Sequence, residues 1–148
     1  MWLYRRSILI AGATLALAAC ATRTDNTAQS LAQTPPIVFV HGNGDTAALW
    51  QTTVWRFESN GWPSNRLHAI NVPYPLSRDD DAKPQAGRTS AAENAAYLKA
   101  EVDKVLQSTG ASKVVLVANS RGGNAIRSYI STGGGSATAS HAIFGGPP

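Results

Sequence analysis

Residues 114–123, VVLVANSRGG, constrain this chain more than any other stretch. An apolar, β-branched run with the character of a buried strand stops at Ser120 and gives way to small residues that open a helical segment, Gly122–Ile130. A strand that turns directly into a helix lifts the side chain at the turn off the sheet and sets it at a helix N-terminus. Unpaired N–H groups there favour developing negative charge. Such a turn crowds its own backbone, so small residues are needed two places before and two places after the serine. Ala118-Asn119-Ser120-Arg121-Gly122 meets that requirement, and Gly123 adds room for the helix to lie close to the sheet. Ser120 is therefore a candidate nucleophile, with 28 residues after it.

The preceding sequence supplies a frame for such a turn. Ile37–Val40 (IVFV) is a short β-branched and aromatic strand candidate that breaks at His41-Gly42-Asn43-Gly44-Asp45. Residues 46–60 read as a helix with Leu49, Val54 and Phe57 on one face, with Asp45 its expected cap and Gly61 its stop. Leu67–Val72 is a second strand and residues 76–89 a polar loop. That loop holds Asp79-Asp80-Asp81, an acidic run whose simplest role is solvation. Ser90-Ala91-Ala92-Glu93 fits a capping box, Leu98, Val102, Val105 and Leu106 recur at helical spacing, and Gly110 is the expected C-cap. Lys113–Ala118 and His141–Phe144 complete a β-α-β-α-β-α-β order. That alternation predicts an α/β fold, a parallel sheet with right-handed crossovers and helices on both faces. Ligands bind at the carboxyl ends of the strands in such sheets. Both HGNGD and NSRGG lie there.

On VFVHGNG, the helix AAENAAYLKAEVDKVLQ, VVLVANSRGG and HAIFGGPP, residues 36–148 resemble the α/β-hydrolase family, in particular its bacterial lipases and esterases. The resemblance implies that Ser120 is the nucleophile and that Ala118 and Gly122 flank it in a G-x-S-x-G elbow, with Ala in the place of the first Gly. It implies an oxyanion hole formed by the backbone N–H groups of Arg121 and Asn43, with His41 and Gly42 shaping the oxyanion loop. It also implies a carboxylic ester as substrate, while an acyltransferase or peptidase on the same fold would use the same serine.

An acyl-transfer serine needs a general base and a carboxylate to orient it. In this family they follow the serine in the chain. After Ser120 the sequence has no Asp, no Glu and one His, His141, expected at the amino end of its strand. His41 and His68 are read as structural. The chain is accordingly read as the N-terminal part of a longer hydrolase, its sheet cut short after the strand that follows the nucleophile helix. The alternative is a catalytically incomplete or non-catalytic envelope lipoprotein.

The envelope reading comes from residues 1–20, MWLYRRSILIAGATLALAAC. Arg5 and Arg6 precede an uncharged stretch of 13 residues, Ser7–Ala19, too short for the roughly 20 residues of a bilayer span but right for a signal peptide. Leu17–Cys20 (LAAC) resembles the bacterial lipobox, which implies cleavage before Cys20, the single cysteine, and its lipidation. Residues 21–35 are small and polar and read as a tether. The Arg5-Arg6 pair leaves the Sec and twin-arginine routes open, and Ala21 implies outer-membrane sorting within the lipoprotein class. The expected organisation is thus a signal peptide over 1–19, a lipidated Cys20 with tether to residue 35, and a hydrolase domain over 36–148. Without residues 1–19, 11 basic residues face 9 acidic ones, a balance too even for a nucleic-acid surface. No metal or other cofactor is expected: no His/Cys/carboxylate cluster has ligand spacing, and no nucleotide-binding glycine motif follows a strand.

Overall fold

A computed structural model of the chain describes residues 30–31, 33–132 and 134–145. The expected signal peptide, Cys20 and most of the tether lie outside those residues. Four strands form one parallel sheet: β1 (Ile37–Val40), β2 (Leu67–Ile70), β5 (Val114–Asn119) and β6 (Ala139–Gly145), in the order β2-β1-β5-β6. Between β2 and β5 the chain makes an excursion with two short strands, β3 (Leu76–Ser77) and β4 (Arg88–Thr89), paired with each other. The helices are α1 (Gln51–Ser59), led in by a 3-10 turn over Ala47–Trp50, α2 (Ala91–Thr109), α3 (Arg121–Thr132) and the single turn α4 (Gly135–Thr138).

Alternate residues of the central strands serve two cores, as period-2 geometry requires. Val38, Val40, Leu116 and Ala118 face Leu98, Val102 and Val105 of α2 and Ala125, Ile126 and Tyr129 of α3. Ile37 and Phe39 face Trp50, Val54, Phe57 and Trp62 on the other side. Helices therefore cover both faces, as expected. The aromatic core is interlocked: Phe39 lies 5.4 Å from Trp50 and 6.0 Å from Phe57, and Phe57 meets Trp62 edge-on at 5.3 Å. Such pairs add about 0.5–1.5 kcal/mol each beyond their buried area.

Three local expectations shift. Leu49 is 41% exposed and Trp50 takes its place against the sheet, because the tight 3-10 turn rotates the face that residues 47–50 present. Thr46 is the N-cap in place of Asp45, accepting the Ala48 N–H, while Asp45 Oδ1 accepts the Thr46 N–H at 2.8 Å. Residues 76–89 are more than a polar loop: they carry the β3–β4 ladder, and each aspartate has a protein partner. The α2 start matches its sequence signal in full. Ser90 Oγ accepts the Glu93 N–H at 3.1 Å, Glu93 Oε2 accepts the Ser90 N–H at 2.8 Å, and Gly110 ends the helix at φ 66°.

Glu93 also pairs with Arg78 at 2.6 Å. The bond from the Ser90 N–H, then the Arg78 cation, hold its carboxyl below the ordinary value of 4.5, against a partial desolvation penalty. The folded chain thus binds fewer protons than the unfolded chain around that value. The contribution of Glu93 is complete above pH 4.5 and is lost as pH falls through the lower folded value. Glu93→Gln should melt lower than the native chain at pH 7, and the gap should narrow when the melts are repeated near pH 3. A constant gap would contradict this.

Among the described strands β6 lies at the sheet edge, with Ile143 56% and Phe144 43% exposed. Exposed apolar edges template association. The 148-residue chain expressed alone is expected to aggregate, and Ile143→Lys to raise its soluble fraction severalfold on a sizing column. Equal solubility of the two would rule out this edge as the cause.

Candidate active site

The sheet order dictates where a site can form. The connection from β1 to β2 runs over one face through α1, and the connection from β2 to β5 returns over the other through α2. Loops leaving β1 and β5 therefore part at their carboxyl ends and open a crevice, the topological switch point. HGNGD leaves β1 there, and Ser120 follows β5.

Ser120 adopts φ 50°, one of two non-glycine residues with positive φ among those described. The conformation turns the chain through the elbow. Its carbonyl accepts the Gly123 N–H at 2.8 Å to start α3, and its N–H reaches the Gly145 carbonyl at 3.4 Å. Arg121 is the first residue of α3, so its own N–H has no intrahelical acceptor. The small flanking residues are needed, as the sequence rule requires. A Cβ on Gly122 would stand 2.6 Å from the Val40 carbonyl oxygen and 2.7 Å from that of His41. Ala118 is completely buried. A Cβ on Gly42 would lie 3.1 Å from Ser120 Cβ and 3.6 Å from its Oγ. The loop after β1, expected to shape an oxyanion hole, thus passes directly against the serine.

His41 is fixed on both ring nitrogens. Nε2 accepts the Val72 N–H at 3.0 Å, so Nδ1 carries the proton and donates to the Gly42 carbonyl at 2.9 Å. With its lone pair occupied and only 2% of its surface exposed, His41 ties the loop after β1 to the residues that follow β2 and has no lone pair left to serve as a base. His68 lies in β2 opposite Val38 and donates to the Asn65 carbonyl, and burial lowers its pKa. His141 pairs with Val115, five residues before Ser120, which is ~16 Å along the strand at ~3.3 Å per residue. No histidine among the described residues can take the Ser120 proton. Nor is any group of three or more His, Cys, Asp or Glu among them placed to hold a metal ion.

An open pocket of about 590 Å³ lies over the serine, lined by Asn43, Ser77, Asp81, Asn94, Ser120 and Arg121 among others. Two of its features have no counterpart in the sequence reading. Arg121 was expected to matter through its N–H alone. Its guanidinium instead spans to the excursion: Nη1 donates to the Pro75 carbonyl and Thr89 Oγ1, both at 3.0 Å. Nη2 donates to the carbonyls of Thr89 at 2.5 Å and Ser90 at 3.2 Å. Burial lowers its pKa, with Asp81 opposing. These acceptors are 31–46 residues away in sequence, so no local pattern could have announced them. The second feature is Asn94. It is 4% exposed, and its Oδ1 has no hydrogen-bond partner although it lines the pocket. It lies on the same helical stripe as Leu98, Val102 and Val105. A polar residue on an apolar stripe was the available signal.

A family model described as lipase (class 2) matches residues 34–147. The chain belongs to the class 2 lipase family. Among solved structures it is similar to the Bacillus licheniformis lipase BlEst2 in its mature form, at 27% identity and a TM-score of 0.55 over 78% of this chain. It matches the propeptide form of the same lipase with the same values. The chain spans 42% of the length of the mature-form structure and 23% of that of the propeptide form.

Proposed function

We propose that the protein is a serine-dependent carboxylic ester hydrolase of the bacterial cell envelope. Ser120 Oγ gives its proton to a base and attacks the ester carbonyl, the N–H groups of Asn43 and Arg121 receive the oxyanion, the C–O bond breaks and the alcohol leaves with that proton, and water then releases the acyl group as the acid. The observation that carries the reading is Ser120 itself, held at φ 50° against Gly42 at the mouth of a pocket. Backbone in that region costs ~1–3 kcal/mol for a non-glycine residue and persists where a function needs it. Membership of the lipase family supports an ester substrate. The base and its carboxylate would come from residues outside this sequence, and Cys20, exported and lipidated, would hold the domain at the membrane.

The absence of a usable histidine among the described residues favours a second reading, in which the short form is a catalytically incomplete envelope lipoprotein. One experiment separates them: hydrolysis of a short-chain p-nitrophenyl ester by the protein as its source cells make it, beside the 148-residue chain. The 148-residue chain is expected to show at most the ~10³–10⁴-fold acceleration over water that an oxyanion hole alone supplies. The native product should exceed that by orders of magnitude. Equal, negligible rates from both would favour the non-catalytic lipoprotein.

A further inference from the structure

The two residues whose N–H groups form the proposed oxyanion hole are also fastened by their side chains to one three-residue segment. The Arg121 guanidinium donates to the Pro75 carbonyl at 3.0 Å. That same carbonyl accepts the Gly44 N–H at 3.2 Å, from the residue after Asn43. Asn43 Oδ1 accepts the Ser77 N–H at 2.7 Å. Residues 75–77 thus bridge the β1 loop and the nucleophile elbow, which also meet directly where Gly42 approaches Ser120 and Gly122 approaches the Val40 and His41 carbonyls.

We propose that Pro75–Ser77 is a strap that sets the spacing of the two oxyanion donors, with the Arg121 and Asn43 side chains as its two fastenings. The inference rests on the ester-hydrolase reading and adds positioning roles for side chains that the family pattern uses only through their backbone. The strap holds because each end is anchored again. Arg121 also grips Thr89 and Ser90, and Arg88 donates to the Ser77 carbonyl at 2.8 Å. The guanidinium has no carboxylate within ion-pair distance among the described residues. Four N–H donations go to neutral oxygens, a use of arginine that only its planar fork allows.

Since methionine, like arginine, has a backbone N–H, Arg121→Met keeps the donor and removes only the fastening. In the full gene product it should lower kcat by about 10- to 100-fold with KM unchanged. That is less than the ~10²–10³-fold cost of losing a donor outright. Arg121→Lys should fall between Arg121→Met and the native enzyme. Amide exchange supplies a readout independent of turnover: the Gly44 and Ser77 amides should exchange faster in Arg121→Met, and Asn43→Ala should release Ser77. A folded Arg121→Met with native kcat and native exchange at Gly44 would overturn the proposal. Should Arg121→Met not fold, Arg121→Lys is judged by the same two readouts. Hydrolysis that survives Ser120→Ala would instead sink the ester-hydrolase reading, and the Gly44 and Ser77 exchange would still decide whether the strap exists.

Discussion

Gly122→Ala is expected to be the most damaging single-methyl change in the domain. The added Cβ would meet two backbone oxygens, those of Val40 and His41, at 2.6 and 2.7 Å. Real carbon–oxygen contacts do not reach that distance, and neither oxygen belongs to a side chain that can rotate away. The clash must be relieved by moving α3 away from the end of β1. Overpacking of a close-packed interior costs about 1–3 kcal/mol, and a backbone obstacle puts this case at or above the top of that range. At about 3 kcal/mol the melting temperature should drop by roughly 10–20 °C for a domain of this size. The same displacement carries the Arg121 N–H away from the Asn43 loop, so turnover should fall even at temperatures where the variant stays folded. Gly87→Ala is the control. Gly87 differs in having a positive φ of 69°, and nothing lies within 4 Å of the added carbon, so the change should cost only about 1–2 kcal/mol of conformational strain. Equal melting of the two variants would show that the Gly122 contact does not confine the elbow.

The second large effect separates stability from catalysis at one residue. Ser120 holds a positive φ that a side chain disfavours and glycine adopts freely. Ser120→Gly should therefore raise stability, by about 1 kcal/mol, while removing the proposed nucleophile. Ser120→Ala also removes the nucleophile but keeps a Cβ at the same φ, and should leave stability near that of the native chain. Both should reduce ester turnover in the complete enzyme by about 10⁶-fold, the scale seen when a triad nucleophile is deleted. Opposite signs in stability and activity at Ser120→Gly are the mark of strain held for function. Should the glycine variant be less stable than the alanine variant, the positive φ would carry no strain and that support for a catalytic Ser120 would vanish.

The sequence discloses the parts of this structure that local rules govern. Small residues around Ser120, the Ser90–Glu93 capping box and the two-sided apolar strands each follow from neighbours a few positions away. All three appear as expected. The shifted features are those where a long-range contact or a tight turn decides. Trp50 replaces Leu49 because a 3-10 turn, not an α-helical one, begins the segment. The excursion between β2 and β5 reads as a solvated loop since it is polar, yet it forms the wall of the pocket through Asn43 and Arg121. Hydrogen bonds spanning 31–46 residues leave no periodicity in the chain. Asn94 is an intermediate case: its place on the apolar stripe of α2 is visible in the sequence, and its buried oxygen without a partner is not.

The central claim is that Ser120 is a nucleophile served by an oxyanion hole, and covalent labelling tests it most directly. The protein isolated from its source cells would be treated with an alkyl phosphonate ester, which mimics the tetrahedral intermediate and leaves a stable adduct. It would then be digested and its peptides weighed. The account predicts one adduct per chain, on the peptide that contains Val114–Arg121 and at Ser120 within it, absent after heat denaturation. No adduct on Ser120, or label spread over unrelated serines regardless of folding, would contradict it.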